Sequence, residues 1–351
     1  MTEQMQAAVY YGAHDVRLER VDVPEPGAGE VLIKVTRSGV CGTDASEWKA
    51  GPKIFPVEQT HPHSGHHGPL ILGHEFIGEV VRSEDPRFSI GERVASGAGV
   101  SCGECDRCRE GRTNLCERYR TYGLNVDGGM AQYVAVAADT LVGIPDRLDD
   151  DAAGLSQPLA VGLHAARRAG VKPGDRVLLI GAGAIGTFVL AGLKHLVDAD
   201  ITVVDFGGSR LERASRVGAS RVIAVDDESF EGEMAALRGS LDVVIEASGA
   251  PGQLNRAIGL TRDGGAVLQV GLPTTAQEVD IHQLVFREIT IRTTLAHVCA
   301  ADMPESLTIL GTTKLADELL DSVRPLRELP DQLERLATGR IEGKVLFDPA
   351  R

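Results

Sequence analysis

Between Val171 and Leu295, short apolar runs recur at helix-length intervals: RVLLIG, ITVVD, RVIAVD, LDVVIEASG, GAVLQVG and ITIRTTL. Strands that are apolar throughout need cover on both faces, and the segments between them have the length to supply it as helices. The pattern therefore predicts six parallel strands in a doubly wound α/β domain. Residues 6–150 read differently: AAVYYG, VLIKVTRSGV, GEVVR, ERVA and AQYVAV are separated by Gly and Pro breaks, the texture of a compact, mostly β domain with long loops. After Leu295, helical stretches near 303–311 and 327–338 lead to a last strand-like run, KVLFDP, expected to pack back onto the first domain. The expected division is 1–155 with 296–351 for the mostly β domain, and 156–295 for the α/β domain.

A length of 351 residues agrees with this count, at roughly 150 residues per domain. Lys and Arg number 36 against 50 Asp and Glu, a formal charge of -14, which repels phosphate backbones and anionic lipid. Nucleic acid and membrane are thus not expected partners. The start, MTEQMQAAVYYG, has neither a basic n-region nor an apolar h-region, so the expected location is the cytoplasm. The longest uncharged run, Val177 to Leu193, spans 17 residues and holds four glycines, too short and turn-rich to cross a bilayer.

Two motifs carry chemistry. Gly181-Ala182-Gly183-Ala184-Ile185-Gly186 follows the first apolar strand and opens a helix. Gly181 permits the tight turn, Gly183 lets a pyrophosphate approach backbone N–H groups, and Gly186 allows close helix–strand packing. Asp205 ends the next strand, 22 residues after Gly183, where a carboxylate can accept from ribose hydroxyls and repel a 2′-phosphate. NAD is expected over NADP. The following Gly207-Gly208-Ser209-Arg210 leaves two readings open: a phosphate-holding loop with Arg210, or a helix N-cap at Ser209 beside a solvated Arg210. Separately, Cys102, Cys105, Cys108 and Cys116 are spaced C-x2-C-x2-C-x7-C, suited to four thiolates closing a tetrahedron around one structural zinc. Arg107, Arg109 and Arg112 either offset the charge of those thiolates or are solvated loop residues.

Taken in order, Cys41-Gly-Thr-Asp44, Gly73-His-Glu-Phe-Ile-Gly-Glu-Val80, the four-cysteine loop and GAGAIG resemble the zinc-dependent medium-chain alcohol dehydrogenases over essentially the whole chain. The segment from Trp48 to His74 looks most like the butanediol dehydrogenase branch, with sorbitol-type polyol dehydrogenases next. The resemblance implies a GroES-like catalytic domain joined to a Rossmann domain, a site in the cleft between them, and a dimer or tetramer. It implies hydride transfer between NAD and a small secondary alcohol, vicinal diol or acyloin, and two zinc ions per chain. The catalytic zinc ligands fall on Cys41 and His74, with Glu75 as a carboxylate able to enter or leave the coordination sphere. Thr43 matches the hydroxyl that takes the alcohol proton, and Asp44 orients the loop. Gly271, Leu272 and Leu295 resemble backbone positions that receive the nicotinamide. Lys344 matches a basic residue on the cofactor pyrophosphate or, on the alternative reading, is solvated.

Two departures stand out. Ser46 occupies the place of a relay histidine and cannot titrate near neutral pH, so the relay ends in water or in one of His61, His63, His66 and His67. Gln157 stands where relatives carry Glu, Asp or Cys as a third ligand; either it reaches the zinc or it bonds to a water there. A neutral amide at this position is expected to leave the zinc less neutralised. The rival readings are a zinc-free quinone or enone reductase on the same scaffold and a nucleotide-sensing binding protein bearing a zinc loop. Thr43 and the Cys41–His74–Glu75 set argue against both.

Overall fold

The computed structural model describes residues 3–351. They form two compact units: one runs to Gln157 and resumes at Val298–Arg351, and the other is Pro158–His297. The breaks fall at 157/158 and 297/298 rather than at 155/156 and 295/296. The first of them lies inside the helix Ser156–Ala169, because its opening residues Ser156 and Gln157 are buried with the first unit.

In the first unit, a sheet runs in the order Leu141–Gly143, Arg93–Ser96, Glu75–Ser83, Glu30–Gly39, Lys344–Asp348, Leu320–Pro325, with Tyr133–Ala137 also paired to Glu30–Gly39. The C-terminal strand joins antiparallel to the third strand of the chain, with Leu346 opposite Gly39 and Phe347 opposite Ser38. A smaller sheet sets Gln4–Gly12 between Asp15–Asp22 and Leu70–Ile71. The longer strands not visible in the hydrophobic pattern are Asp15–Asp22 and Leu320–Pro325; the two- and three-residue strands, such as Leu70–Ile71 and Leu141–Gly143, are too short to show a pattern. Asp15–Asp22, DVRLERVD, pairs along its whole length with Gln4–Gly12 yet buries no side chain, so it carries no apolar stripe. Leu320–Pro325 is an edge strand, partly exposed throughout, that follows directly on the short helix Leu315–Leu319.

The helix Gly42–Ala50 is anchored at both ends. Cys41 is its N-cap, and Asp44, three residues on, returns its Oδ2 to the Cys41 N–H at 2.9 Å. This reciprocal cap fixes the entry of the chain, and the carboxylate also sits favourably at the positive end of the helix. Trp48, 8% exposed, packs with Leu329 and Leu333 of the helix Leu329–Ala337 and donates to Glu334 at 3.2 Å. Glu47 is buried too. Its carboxylate accepts from the N–H groups of Lys53 (2.8 Å) and Ile54 (3.1 Å), while its carbonyl accepts from the Tyr10 hydroxyl at 2.9 Å. The loop that leaves the helix is thereby tied back to it.

The second unit is a six-stranded, all-parallel sheet ordered Arg221–Ala224, Asp200–Asp205, Arg176–Ile180, Leu241–Glu246, Thr261–Gln269, Thr290–Thr293. Adjacent residues serve opposite faces: Leu179 packs with Val189 and Val203, and Leu178 with Val204, Val244 and Ile258. The strand order reverses between Arg176–Ile180 and Leu241–Glu246, and at such a switch point the loops diverge and open a crevice beyond the strand ends.

Because the buried Glu47 carboxylate ties two loop N–H groups back to the helix, Glu47→Ala should lower stability by about 1–3 kcal/mol. Urea unfolding checks this; an unchanged midpoint would show that water replaces the carboxylate without cost.

Candidate active site, metal centres and nucleotide turn

Three chain segments bring the first cluster together. Cys41 is held at the helix cap, His74 immediately precedes and Glu75 begins the strand Glu75–Ser83, and Lys344 begins the C-terminal strand, both strands pairing with Glu30–Gly39. Donor atoms of Cys41, His74 and Glu75 all lie within 4.8 Å of one another. His74 is 6% exposed, and Asp44 and Glu75 are 2% exposed each. Asp44 Oδ1 faces His74 Nδ1 at 3.7 Å, and neither of those two atoms makes a hydrogen bond. Asp44 therefore orients both ends of the cluster, holding the Cys41 backbone and facing the imidazole.

Lys344 is not where the resemblance led us to expect. It is 5% exposed, and its ammonium donates to Val40 O at 2.7 Å and to Glu75 Oε1 at 2.8 Å, with Oε2 at 2.5 Å. A buried ammonium committed to a carboxylate is neither solvated nor free to grip a pyrophosphate. Three acidic groups, Cys41, Asp44 and Glu75, thus gather around the His74 imidazole and the Lys344 ammonium. Burial works against a charged His74, but Asp44 and then Cys41 outweigh it and lift the group to about 10. The pocket thus favours added positive charge, and a divalent cation held by thiolate, imidazole and carboxylate fits that donor set. Gln157 is buried in the first turn of Ser156–Ala169.

Thr43 is half-buried in the first turn of the same helix, and Ser46, one turn further, is exposed. The histidine loop does not converge on the cluster. His61 Nδ1 pairs with Ser64, His66 Nε2 with Pro69 O, and His61 and His63 stack edge-on at 5.8 Å.

The four cysteines of the second cluster also lie within 4.8 Å of one another, and none is in a disulfide. Cys105 and Cys108 sulfurs are 3.5 Å apart, Cys102 and Cys108 4.0 Å. Backbone N–H groups point inward: Cys105 N donates to Cys102 Sγ, and Cys102 N and Arg118 N donate to Cys116 Sγ. The first of these pulls the Cys102 thiol down to about 6, favouring the thiolate. Arg107 and Arg109 are turned to Glu110 and Asp106 and so do not offset the sulfurs.

In the second unit the glycine turn has the expected form. Gly181 has φ +101°, and Gly183 caps the helix Ala184–Leu196 with open space where a Cβ would stand. At Gly186 a Cβ would strike the Gly181 carbonyl oxygen, just past the end of the strand Arg176–Ile180, so only glycine lets the helix approach the turn this closely. Asp205, 8% exposed, accepts from Ala182 N at 2.6 Å and Phe206 N at 2.7 Å, tying the glycine turn to the end of the second strand. A cavity of about 540 Å³ opens there, lined by Gly181, Gly183, Asp205, Arg210, Ser248 and Arg256 among others. Glu246, 1% exposed, escaped the sequence reading. It accepts from Ser248 N (2.8 Å), Gly249 N and Gln269 Nε2 (2.5 Å), shaping the opposite side of the crevice. The signal was an acidic residue ending an otherwise apolar strand. Gly271, packed against Gly249 and Glu246, follows the fifth strand; Leu272 and Leu295 are exposed at the ends of the fifth and sixth.

Residues 27–146 match the family described as alcohol dehydrogenase GroES-like domain, and residues 184–311 that of zinc-binding dehydrogenase. The chain is 36% identical to sorbitol dehydrogenase of Bacillus subtilis over 78% of this chain and 76% of that one. It is 34% identical to L-threonine 3-dehydrogenase of Burkholderia vietnamiensis over 80% of each. The structure of 2R,3R-butanediol dehydrogenase from Bacillus subtilis superposes with a TM-score of 0.89 over 98% of this chain and 99% of that one, at 29% identity. The chain belongs to the zinc-dependent medium-chain alcohol dehydrogenases, in the branch of polyol and butanediol dehydrogenases, and is an oxidoreductase with GroES-like and Rossmann folds. Members of this fold take nicotinamide nucleotides. Among the described residues, no helix is long and apolar enough to cross a membrane.

Removing Lys344 would leave the Glu75 carboxylate buried without its partner, so Lys344→Met should cost about 3–5 kcal/mol, and Lys344→Arg much less. Denaturant unfolding of both variants tests the pair; equal stability for wild type and Lys344→Met would show that it holds nothing.

Proposed function

We propose that this chain oxidises a small secondary alcohol, such as a vicinal diol or polyol, or reduces the matching ketone or acyloin, with NAD as hydride carrier. The observation that carries this reading is the converging Cys41–His74–Glu75 donor set, its imidazole and carboxylate buried and its cysteine half-buried, with a hydroxyl, Thr43, two residues after the cysteine. Cys41, His74 and Glu75 would hold a catalytic zinc, and Cys102, Cys105, Cys108 and Cys116 a structural one, giving two per chain. When bound, zinc at the first site would supply Lewis-acid polarisation of the substrate oxygen, and a nicotinamide would supply the hydride chemistry.

The chain's own residues do the rest. Thr43 Oγ1 takes the proton of the substrate hydroxyl, and Ser46, three residues on along the same helix face, passes it to solvent as a neutral relay. Asp44 holds the imidazole in one orientation, as a carboxylate behind a ligating histidine does. Lys344 fixes the Glu75 carboxylate. In the second unit, the N–H groups after Gly183 receive the pyrophosphate, and the remaining lone pairs of Asp205 receive the ribose hydroxyls. Gly271, Leu272 and Leu295 offer backbone groups to the nicotinamide amide. Gln157 completes the substrate end of the site as a neutral hydrogen-bonding group.

The exposed Ile281, Val285 and Phe286 on one short helix support a homo-oligomer, in which such a patch would be covered. Four converging, unoxidised cysteines support a reducing, cytoplasmic location. A second substrate reading, a β-hydroxy amino acid, is favoured by the relatives named L-threonine 3-dehydrogenase.

Alcohol-dependent NADH formation over a panel of diols, polyols, acyloins and threonine tests the proposal. Turnover should stop with a chelator and in Cys41→Ser, whose fold should survive, whereas Cys105→Ser should lower the melting temperature. NAD should give the higher kcat/KM; turnover indifferent to chelator and to Cys41 would overturn the assignment.

A further inference from the structure

Preference for a cofactor is usually sought at the end of the second strand, but here the loop beyond it is engaged by the third. Gly207 N donates to Asp226 Oδ1 at 2.8 Å, across from the end of the strand Arg221–Ala224. The carboxylate packs so closely that a Cβ on Gly207 would meet Oδ1 at 3.1 Å and Oδ2 at 3.4 Å. The next residue, Gly208, has φ +97° and caps the nine-residue helix Ser209–Val217 without a side-chain bond. A loop N–H at the start of a helix, followed by an arginine, is the arrangement that draws a phosphate. In this chain each attractive element already has an internal anion. Asp226 takes the Gly207 N–H, and Arg210 lies 3.7 Å from Asp205.

We infer that Asp226 is a second specificity-determining residue for the cofactor, occupying with its carboxylate the N–H that a 2′-phosphate would need and repelling that phosphate. The inference rests on the NAD reading and deepens it. Asp205 alone would leave an NADP phosphate one acceptor group to avoid; Asp226 adds a like charge on the other side of the loop. It also implies that replacing Asp205 cannot by itself produce an NADP enzyme, since Asp205 additionally ties down Ala182 and Phe206. Asp226→Asn is the informative change, because the amide oxygen can still accept from Gly207 while the charge is gone. Asp227, the next residue, engages Ser229 N at 2.8 Å and its hydroxyl at 2.7 Å, and so provides a matched charge-removal control.

The test measures dissociation constants of adenosine 2′,5′-bisphosphate and 5′-AMP on the full chain by calorimetry, at low and high salt. Wild type should prefer 5′-AMP. In Asp226→Asn that preference should fall about tenfold or more at low salt, and the change should shrink as salt screens the charge. Asp227→Asn should move it less than about threefold. If wild type binds both probes equally, the NAD reading itself fails. If wild type discriminates and Asp226→Asn alters both affinities alike or neither, Asp226 is a loop-shaping residue and the inference is overturned.

Discussion

A cluster of ionisable groups taken out of water governs the first unit. Asp44, His74, Glu75 and Lys344 are buried, with Cys41 half-buried beside them, and charges taken out of water are costly unless each finds a partner. Lys344 satisfies the Glu75 carboxylate. A divalent cation would neutralise the acidic groups that remain, and a cysteine sulfur and an imidazole are ligand types zinc prefers. The elements that converge there follow from this requirement. The capping exchange between Cys41 and Asp44 sets the helix, the Glu30–Gly39 strand carries both neighbours that bring Glu75 and Lys344, and Trp48 clamps the helix onto the C-terminal helix Leu329–Ala337.

The same device recurs away from the metal site. Glu47 closes the loop after its helix, Asp205 ties the glycine turn to the second strand, Glu246 shapes the opposite lip of the crevice, and Asp226 engages Gly207. Each is a carboxylate accepting backbone N–H groups of a loop or turn and so fixing its course. Part of the acidic excess of this chain therefore does structural duty in the loops that shape its sites, and by the same negative charge bears on which ligands those loops admit.

Much of this was legible in the sequence because it depends on local spacing. The six apolar runs of the second unit need cover on both faces and could form only a buried parallel sheet, and the four-cysteine loop folds on itself within 15 residues. The two longer strands that carry no hydrophobic signal, Asp15–Asp22 and Leu320–Pro325, bury no side chain. The partnerships that escaped notice join distant residues: Lys344 and Glu75 are 269 positions apart, and Asp226 stands 19 from Gly207. Nothing in the immediate neighbours of Lys344 shows that it is buried, and so its reading as a pyrophosphate contact gave way to an ion pair that only the sheet register creates.

Equilibrium titration of the metal-depleted chain with Co²⁺, read by thiolate-to-cobalt absorption, addresses the Cys41–His74–Glu75 cluster directly. Two equivalents should bind, one with the stronger absorption of four thiolates and a second with that of one. The second should vanish in Cys41→Ser and weaken in Glu75→Gln, while the first is untouched. A single equivalent, or a second one indifferent to Cys41 and Glu75, would contradict the claim that this cluster is built to hold a divalent cation.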